Sequence, residues 1–152
     1  MREVITNSPE ETKQFAAGLA KGLKPGSVLA LHGDLGSGKT CFVQGLAEAL
    51  GVKEIVSSPT FTIVNEYHGR AKLYHVDLYR INSGAELPGL GIEELLEGDG
   101  ITAIEWPDIF AGFLPDDTIH VYFEFVDELR RRISIDVSRL RGRSNLEKPG
   151  EA

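Results

Sequence analysis

Eight consecutive residues, Gly33-Asp34-Leu35-Gly36-Ser37-Gly38-Lys39-Thr40, carry the most specific chemistry in this sequence. They satisfy G-x-x-x-x-G-K-[ST] at every position, the pattern of a loop that wraps a phosphate chain. The glycines permit backbone angles and close approach that a Cβ would block. Successive amides from Leu35 to Thr40 can then turn toward phosphate oxygens. Lys39 is placed to neutralise the β- and γ-phosphates, and the Thr40 hydroxyl is a hard oxygen ligand for Mg²⁺. The competing reading is a plain glycine turn with a surface lysine. Cys41, the one cysteine, follows directly and reads as helix packing rather than as a reactive thiol.

Such a loop needs an acidic residue at the end of a neighbouring strand to hold Mg²⁺. Two segments offer one: Leu73-Tyr74-His75-Val76-Asp77 and Ile101-Thr102-Ala103-Ile104-Glu105. The second is a nearly continuous apolar run, suited to lie beside a buried central strand, so Glu105 is the better metal-side candidate. Asp77 is the alternative, or a partner that orients a water or Lys39. Either acid could instead cap the turn that follows its strand. Thr60 and Thr62, after Ser57-Ser58-Pro59, sit where such proteins place a γ-phosphate-sensing hydroxyl, though threonine also simply favours strands. Trp106 is a core residue or a lid contact, with the core favoured. His75 reads as a structural histidine, and His32, His68, His75 and His120 show no metal-ligand spacing. No N-K-x-D string is present, so ATP is the default nucleotide over GTP. Pro9 could supply an edge for the purine. No obvious strong base and no arginine-rich lid are encoded. Catalysis would then rest on positioning and charge neutralisation, with slow hydrolysis until a partner completes the site.

The elements that must position these residues follow from the patterning. Ser8 is an N-cap, Pro9 suits the first helical position, and Glu11 completes a capping box. Phe15, Leu19 and Leu23 form the stripe of that helix, which Pro25-Gly26 ends. Val28 to Leu31 reads as a buried strand feeding the glycine-rich turn, and Lys39 to Leu50 as the helix that leaves it, with Gly51 past its end. Phe61 to Tyr67 and Leu73 to Leu78 resemble a hairpin around His68-Gly69-Arg70. A polar loop, Asn82 to Gly91, leads to a short helix at Ile92 to Leu96. Ile101 to Glu105 is a further strand, ended by Trp106-Pro107, and a short helix fits Ile109 to Phe113. Strands at Ile119 to Phe125 and Arg132 to Val137 flank Asp127-Glu128 as a second hairpin. These elements predict a three-layer α/β fold of the P-loop NTPase kind, with a mixed, mostly parallel central sheet and hairpin additions.

The chain has 152 residues, which suits one domain, taken as residues 1–137, followed by a polar tail at residues 138–152. No apolar run reaches the about 20 residues of a membrane span, and the first residues lack the apolar core of a secretory signal. A single cysteine excludes an internal disulfide and a cysteine-based zinc cluster. The cytoplasm is the expected compartment. The formal net charge of −7 disfavours a general nucleic-acid binder. Charge is uneven: from Arg130 onward seven cationic residues face three acidic ones, whereas residues 1–129 carry nine against 20. That basic end is a solvated strand face plus a solubilising tail, or a contact for RNA or an acidic protein.

Four motifs in order sharpen the reading: Gly33 to Thr40, Ser58-Pro59-Thr60-Phe61-Thr62, Tyr74-His75-Val76-Asp77-Leu78-Tyr79-Arg80, and Glu105-Trp106-Pro107. Together they closely resemble the TsaE (YjeE) family of bacterial ATPases in tRNA threonylcarbamoyladenosine biosynthesis, over about residues 1–137. The resemblance implies ATP and Mg²⁺ as ligands and TsaB and TsaD as partner proteins, with tRNA met through that complex. ATP hydrolysis would reset the complex between turnovers without making the bond. By the same resemblance Lys39 and Thr40 hold phosphate and Mg²⁺, Glu105 is metal-side, and Asp77 is a catalytic acid or one just behind the metal. Thr60 becomes the switch threonine, Trp106 lies by the active site at the partner face, and Tyr79 and Arg80 fit a second switch strip. Two readings from other classes compete: a small P-loop kinase acting on a metabolite, and a nucleotide-binding switch without useful turnover.

Overall fold

The computed structural model describes residues 2–57 and 63–136. Thr60, Thr62 and the tail at 138–152 lie outside them. Seven strands form one sheet: β1 (Arg2–Thr6), β2 (Val28–His32), β3 (Val64–His68), β4 (Lys72–Asp77), β5 (Ile101–Glu105), β6 (Ile119–Phe125) and β7 (Arg131–Ile135). Their spatial order is β1-β7-β6-β2-β5-β4-β3. The four central strands, β6, β2, β5 and β4, run parallel. The antiparallel hairpins β3–β4 and β6–β7 extend it, and β1 closes the far edge against β7. The expected mixed sheet with a parallel centre and hairpin additions is the observed one.

Alternation along the strands sends side chains to two cores. On one face, Leu29, Leu31, Ala103, Val121, Phe123 and Ile133 pack with helices α1 (Pro9–Ala20) and α2 (Lys39–Ala49). On the other, Val28, Val76 and Ile104 meet Leu87, Ile92 and Phe110, from a 3-10 helix (Gly84–Leu90), α3 (Ile92–Leu96) and a second 3-10 helix (Pro107–Phe113). This is the three-layer arrangement. Among the described residues, the second layer stops short of β6, β7 and β1. There Arg132 pairs with Glu124 at 2.5 Å and with Glu3 at 3.9 Å, on partly exposed side chains.

Several boundaries differ from expectation. The α1 helix ends at Ala20, and Gly22 and Leu23 follow in i→i−3 turns to Leu19 and Ala20. Leu23 still packs against the core, so the apolar stripe outlasts the helix. Ser8 Oγ accepts from the Glu11 amide at 3.1 Å, but the Glu11 carboxylate reaches the Asn7 amide at 2.8 Å, one residue beyond the capping-box position. A complete capping box sits elsewhere, between Ser83 and Glu86, and turns part of the expected polar loop into the first 3-10 helix. The β1 strand has no strong signal in its own residues; its pairing with β7 is long-range. Among the described residues no helix is long and apolar enough to cross a membrane.

Candidate active site

The buried strand β2 aims the glycine-rich turn at the N-terminus of α2. Gly36 and Gly38 take φ of 78° and 104°, left-handed values that favour glycine. A Cβ on Gly33 would lie 2.6 Å from Ser37 Oγ, so close approach excludes other residues there. The Ser37 amide donates to the Asp34 carbonyl at 3.1 Å. One of the six inward-turning amides expected from sequence is thus committed to the turn itself. The N-terminus of α2 adds the positive end of the helix dipole.

Lys39 opens α2 and is nearly buried, at 4% exposure. Its Nζ donates to the Gly33 carbonyl at 2.5 Å and lies 3.7 Å from the centre of the Trp106 ring. Burial pushes its pKa down, while the charges of Glu105, Asp77 and Asp34 push it back up. Glu105 ends β5, the strand parallel to β2, in register with Leu31. It is 3% exposed. Its Oε2 accepts from Thr40 Oγ1 at 3.2 Å and from His75 Nε2 at 2.5 Å. Asp77 ends β4, one strand further from β2, in register with Glu105. Its Oδ1 accepts from the Tyr79 amide at 3.0 Å. Burial holds its carboxyl above the ordinary range, the Tyr79 bond opposes this, and the Glu105 charge adds to it.

Trp106 adopts φ 56° and ψ 57°, the one left-handed non-glycine among the described residues, a conformation costing about 1–3 kcal/mol. That turn carries its ring over Lys39 and against the Tyr79 ring, with centroids 5.0 Å apart. The ring also packs partly on the second core. Trp106 is thus partly in the core, as favoured from sequence, and partly exposed to the site. A cavity of about 420 Å³ is lined by Leu35, Lys39, Thr40, Asp77, Tyr79, Glu105 and Trp106 among others. Arg80 follows on the exposed turn after β4.

Pro9, at the start of α1, is also brought to the turn. Its carbonyl accepts from Cys41 Sγ at 3.4 Å, and it shares a small cavity with Gly38, Cys41, Leu129 and Arg131. Burial pushes the Cys41 thiol up, which disfavours the reactive thiolate. Among the described residues no group of three or more His, Cys, Asp or Glu side chains is arranged to hold a metal ion.

Two neighbours escape the sequence reading. His75 touches Glu105, and the usable signal is parity: it precedes Asp77 by two strand positions and so shares its face. Arg131, on β7, donates from Nη2 to the Gly36 carbonyl at 3.1 Å and from Nη1 to the Asp127 carbonyl at 2.6 Å. Nothing local announces it, because the contact spans most of the chain.

A strand, a glycine-rich turn and a helix, with an acid ending the adjacent parallel strand, define a P-loop fold of the α/β class. The family model described as threonylcarbamoyl adenosine biosynthesis protein TsaE matches residues 6–133. The chain is 43% identical over 130 residues to the tRNA threonylcarbamoyladenosine biosynthesis protein TsaE of Bacillus subtilis, covering 85% of this chain and 81% of that one. It is 38% identical over 131 residues to the protein of the same name from Treponema pallidum, covering 86% and 97%. The crystal structure of Bacillus subtilis YdiB superposes with a TM-score of 0.74 at 38% identity, covering 88% of this chain and 82% of that one. The chain belongs to the TsaE family.

Proposed function

We propose that this chain is a Mg²⁺-dependent ATPase whose cycle serves tRNA threonylcarbamoyladenosine modification by resetting a TsaB–TsaD complex in the cytoplasm. The observation that carries the reading is the convergence of the Lys39, Thr40 and Glu105 side chains on one cavity at the carboxyl ends of β2 and β5. This is the place where open α/β sheets bind ligands. The donor set fits the ligand. An ammonium and helix-terminal amides suit a triphosphate, and a hydroxyl beside a carboxylate offers the hard oxygens that Mg²⁺ takes. Thr40 and Glu105 would hold the metal, which would supply positive charge against the charge that develops on the phosphates.

The chain's own part is positional. Lys39 would exchange its bond to the Gly33 carbonyl for phosphate oxygens, and Thr40 would turn its oxygen to the metal. Glu105 would hold the metal-side water, while Asp77 stands at the same level on the next strand to orient a water or Lys39. Trp106 and Tyr79 form the outer wall, where a partner protein would close the site. Thr60 is retained as the switch hydroxyl on the family resemblance alone, and Tyr79 and Arg80 as the second switch strip. Pro9 and Leu129 line the small cavity behind Gly38, the place we assign to the purine edge.

The test is ATP hydrolysis by the chain alone and with TsaB and TsaD, with and without tRNA. Slow turnover raised by the partners is expected; dependence on a small-molecule acceptor would instead identify a kinase. The variant Glu105→Ala is expected to keep most ATP binding in calorimetry yet lose Mg²⁺-dependent hydrolysis. Undiminished hydrolysis in that variant moves the metal-side role to Asp77.

A further inference from the structure

His75 is fully buried and plays no part in the reading above. It stands on β4 opposite Ala103 of β5, one side-chain step below the Asp77–Glu105 pair on the same sheet face. Its Nε2 lies 2.5 Å from Glu105 Oε2. A carboxylate only accepts, so the imidazole is the donor. Its other nitrogen, Nδ1, is buried without a hydrogen-bond partner, so the ring hydrogen that the geometry accounts for is the one on Nε2. Burying a half-satisfied imidazole in a sheet core is costlier than burying an apolar side chain of similar size. Packing alone therefore gives a poor account of a histidine here.

The bonds to Glu105 are unevenly divided. Both the Thr40 hydroxyl and His75 Nε2 reach Oε2, while no described residue donates to Oε1. His75 approaches from beneath the carboxylate and Thr40 from the loop side. We propose that His75 is the positioning residue of Glu105: it anchors Oε2 from within the core and so leaves Oε1 as the oxygen that serves the metal side. This rests on the reading of Glu105 as the metal-side acid. The arrangement matches the general rule that ligating carboxylates are themselves held by hydrogen bonds from behind.

The test compares His75→Leu and His75→Phe, which cannot donate, with His75→Gln, which retains an N–H at similar reach, and with Glu105→Gln. Three quantities are read on the full chain: kcat for ATP hydrolysis, KM for ATP, and Mn²⁺ affinity with a non-hydrolysable ATP analogue bound, followed by the spin resonance of free Mn²⁺. Thermal melting reports folding. Loss of the donor is expected to lower kcat and Mn²⁺ affinity by about 10–100-fold with KM for ATP unchanged, and His75→Gln is expected to restore most of both. Using two non-donor variants covers the case in which one fails to fold. The proposal is overturned if a folded non-donor variant matches the wild type in kcat and Mn²⁺ affinity. It is equally overturned if His75→Gln loses as much as His75→Leu with a lowered melting temperature, which assigns the residue to packing. If Glu105→Gln itself keeps both quantities, the metal-side reading falls and this inference with it. Loss in Glu105→Gln beside intact non-donor variants removes this inference alone.

Discussion

Lys39 and Asp77 show how the site holds charge ahead of any ligand. The Lys39 ammonium is nearly buried, and among the described residues it meets the Gly33 carbonyl, the Trp106 face and the charges of nearby acids. A triphosphate is a better partner than any of these, because charge-assisted bonds are worth about 1.5–3 kcal/mol each. Lys39→Ala is accordingly expected to weaken ATP binding by about 10–100-fold in calorimetry; affinity within twofold of wild type would detach the lysine from the phosphates. Asp77 makes the opposite case. Burial raises its carboxyl above its unfolded value, so between the two the folded state binds more protons than the unfolded one. Stability is then lost as pH rises through the raised value and stays lower above it. Asp77→Asn cannot ionise and keeps an oxygen for the Tyr79 amide. Its melting temperature is expected to exceed the wild type's at pH 7, with the gain vanishing near about pH 3, where free Asp is protonated in either state. An equal gain at both pH values would point away from ionisation.

At the scale of elements, the loop is aimed by the packing of α2 on α1 and the sheet. Gly45 sits in the middle of α2, where glycine costs about 1 kcal/mol against alanine. An added Cβ would lie 2.5 Å from the Lys13 carbonyl oxygen of α1. Gly45→Ala must therefore push the helices apart despite its better helix propensity. It is expected to destabilise the fold by about 1–3 kcal/mol in urea denaturation; a stabilised variant would show that the interhelical contact yields freely. The N-cap bond from Ser8 Oγ to the Glu11 amide holds the start of α1, and with it Pro9 beside Gly38.

At the scale of the molecule, the site belongs to the folded state alone, because Lys39, Thr40 and Glu105 meet only when β2 and β5 pair. Ligand binding must then stabilise the whole domain. At ATP–Mg²⁺ about 100-fold above its Kd the gain is about 2.7 kcal/mol, or about 5–10 °C in melting temperature for a chain of this size. With its Kd raised about 10–100-fold, Lys39→Ala is expected to gain only about 0.4–1.4 kcal/mol from the same ligand concentration. A shift of equal size in that variant would place the nucleotide elsewhere. The Arg132–Glu124 and Arg132–Glu3 pairs on β1, β7 and β6 contribute little to this balance, since exposed ion pairs give about 0–1 kcal/mol.

Much of this was legible in the residues themselves, for a physical reason. The phosphate-loop pattern, the strand before it and the helix after it are local. Glycine at φ 104°, a capped helix start and an apolar run of strand length each act over a few positions. Apolar continuity also placed β5, rather than β4, beside β2. Pairing across the chain was not legible. The β1 edge, the Arg131 grip on Gly36 and the His75 bond to Glu105 depend on sheet order and register, which close over long loops and leave no periodic mark. The capping boxes carry the same lesson. Ser8 and Ser83 present the same local pattern, yet only Ser83 forms the reciprocal pair, because the approach of the preceding chain decides which amide the glutamate can reach. Sequence thus determined which groups could do chemistry and on which elements they ride. Tertiary structure decided which of them touch, because contact needs the sheet to close.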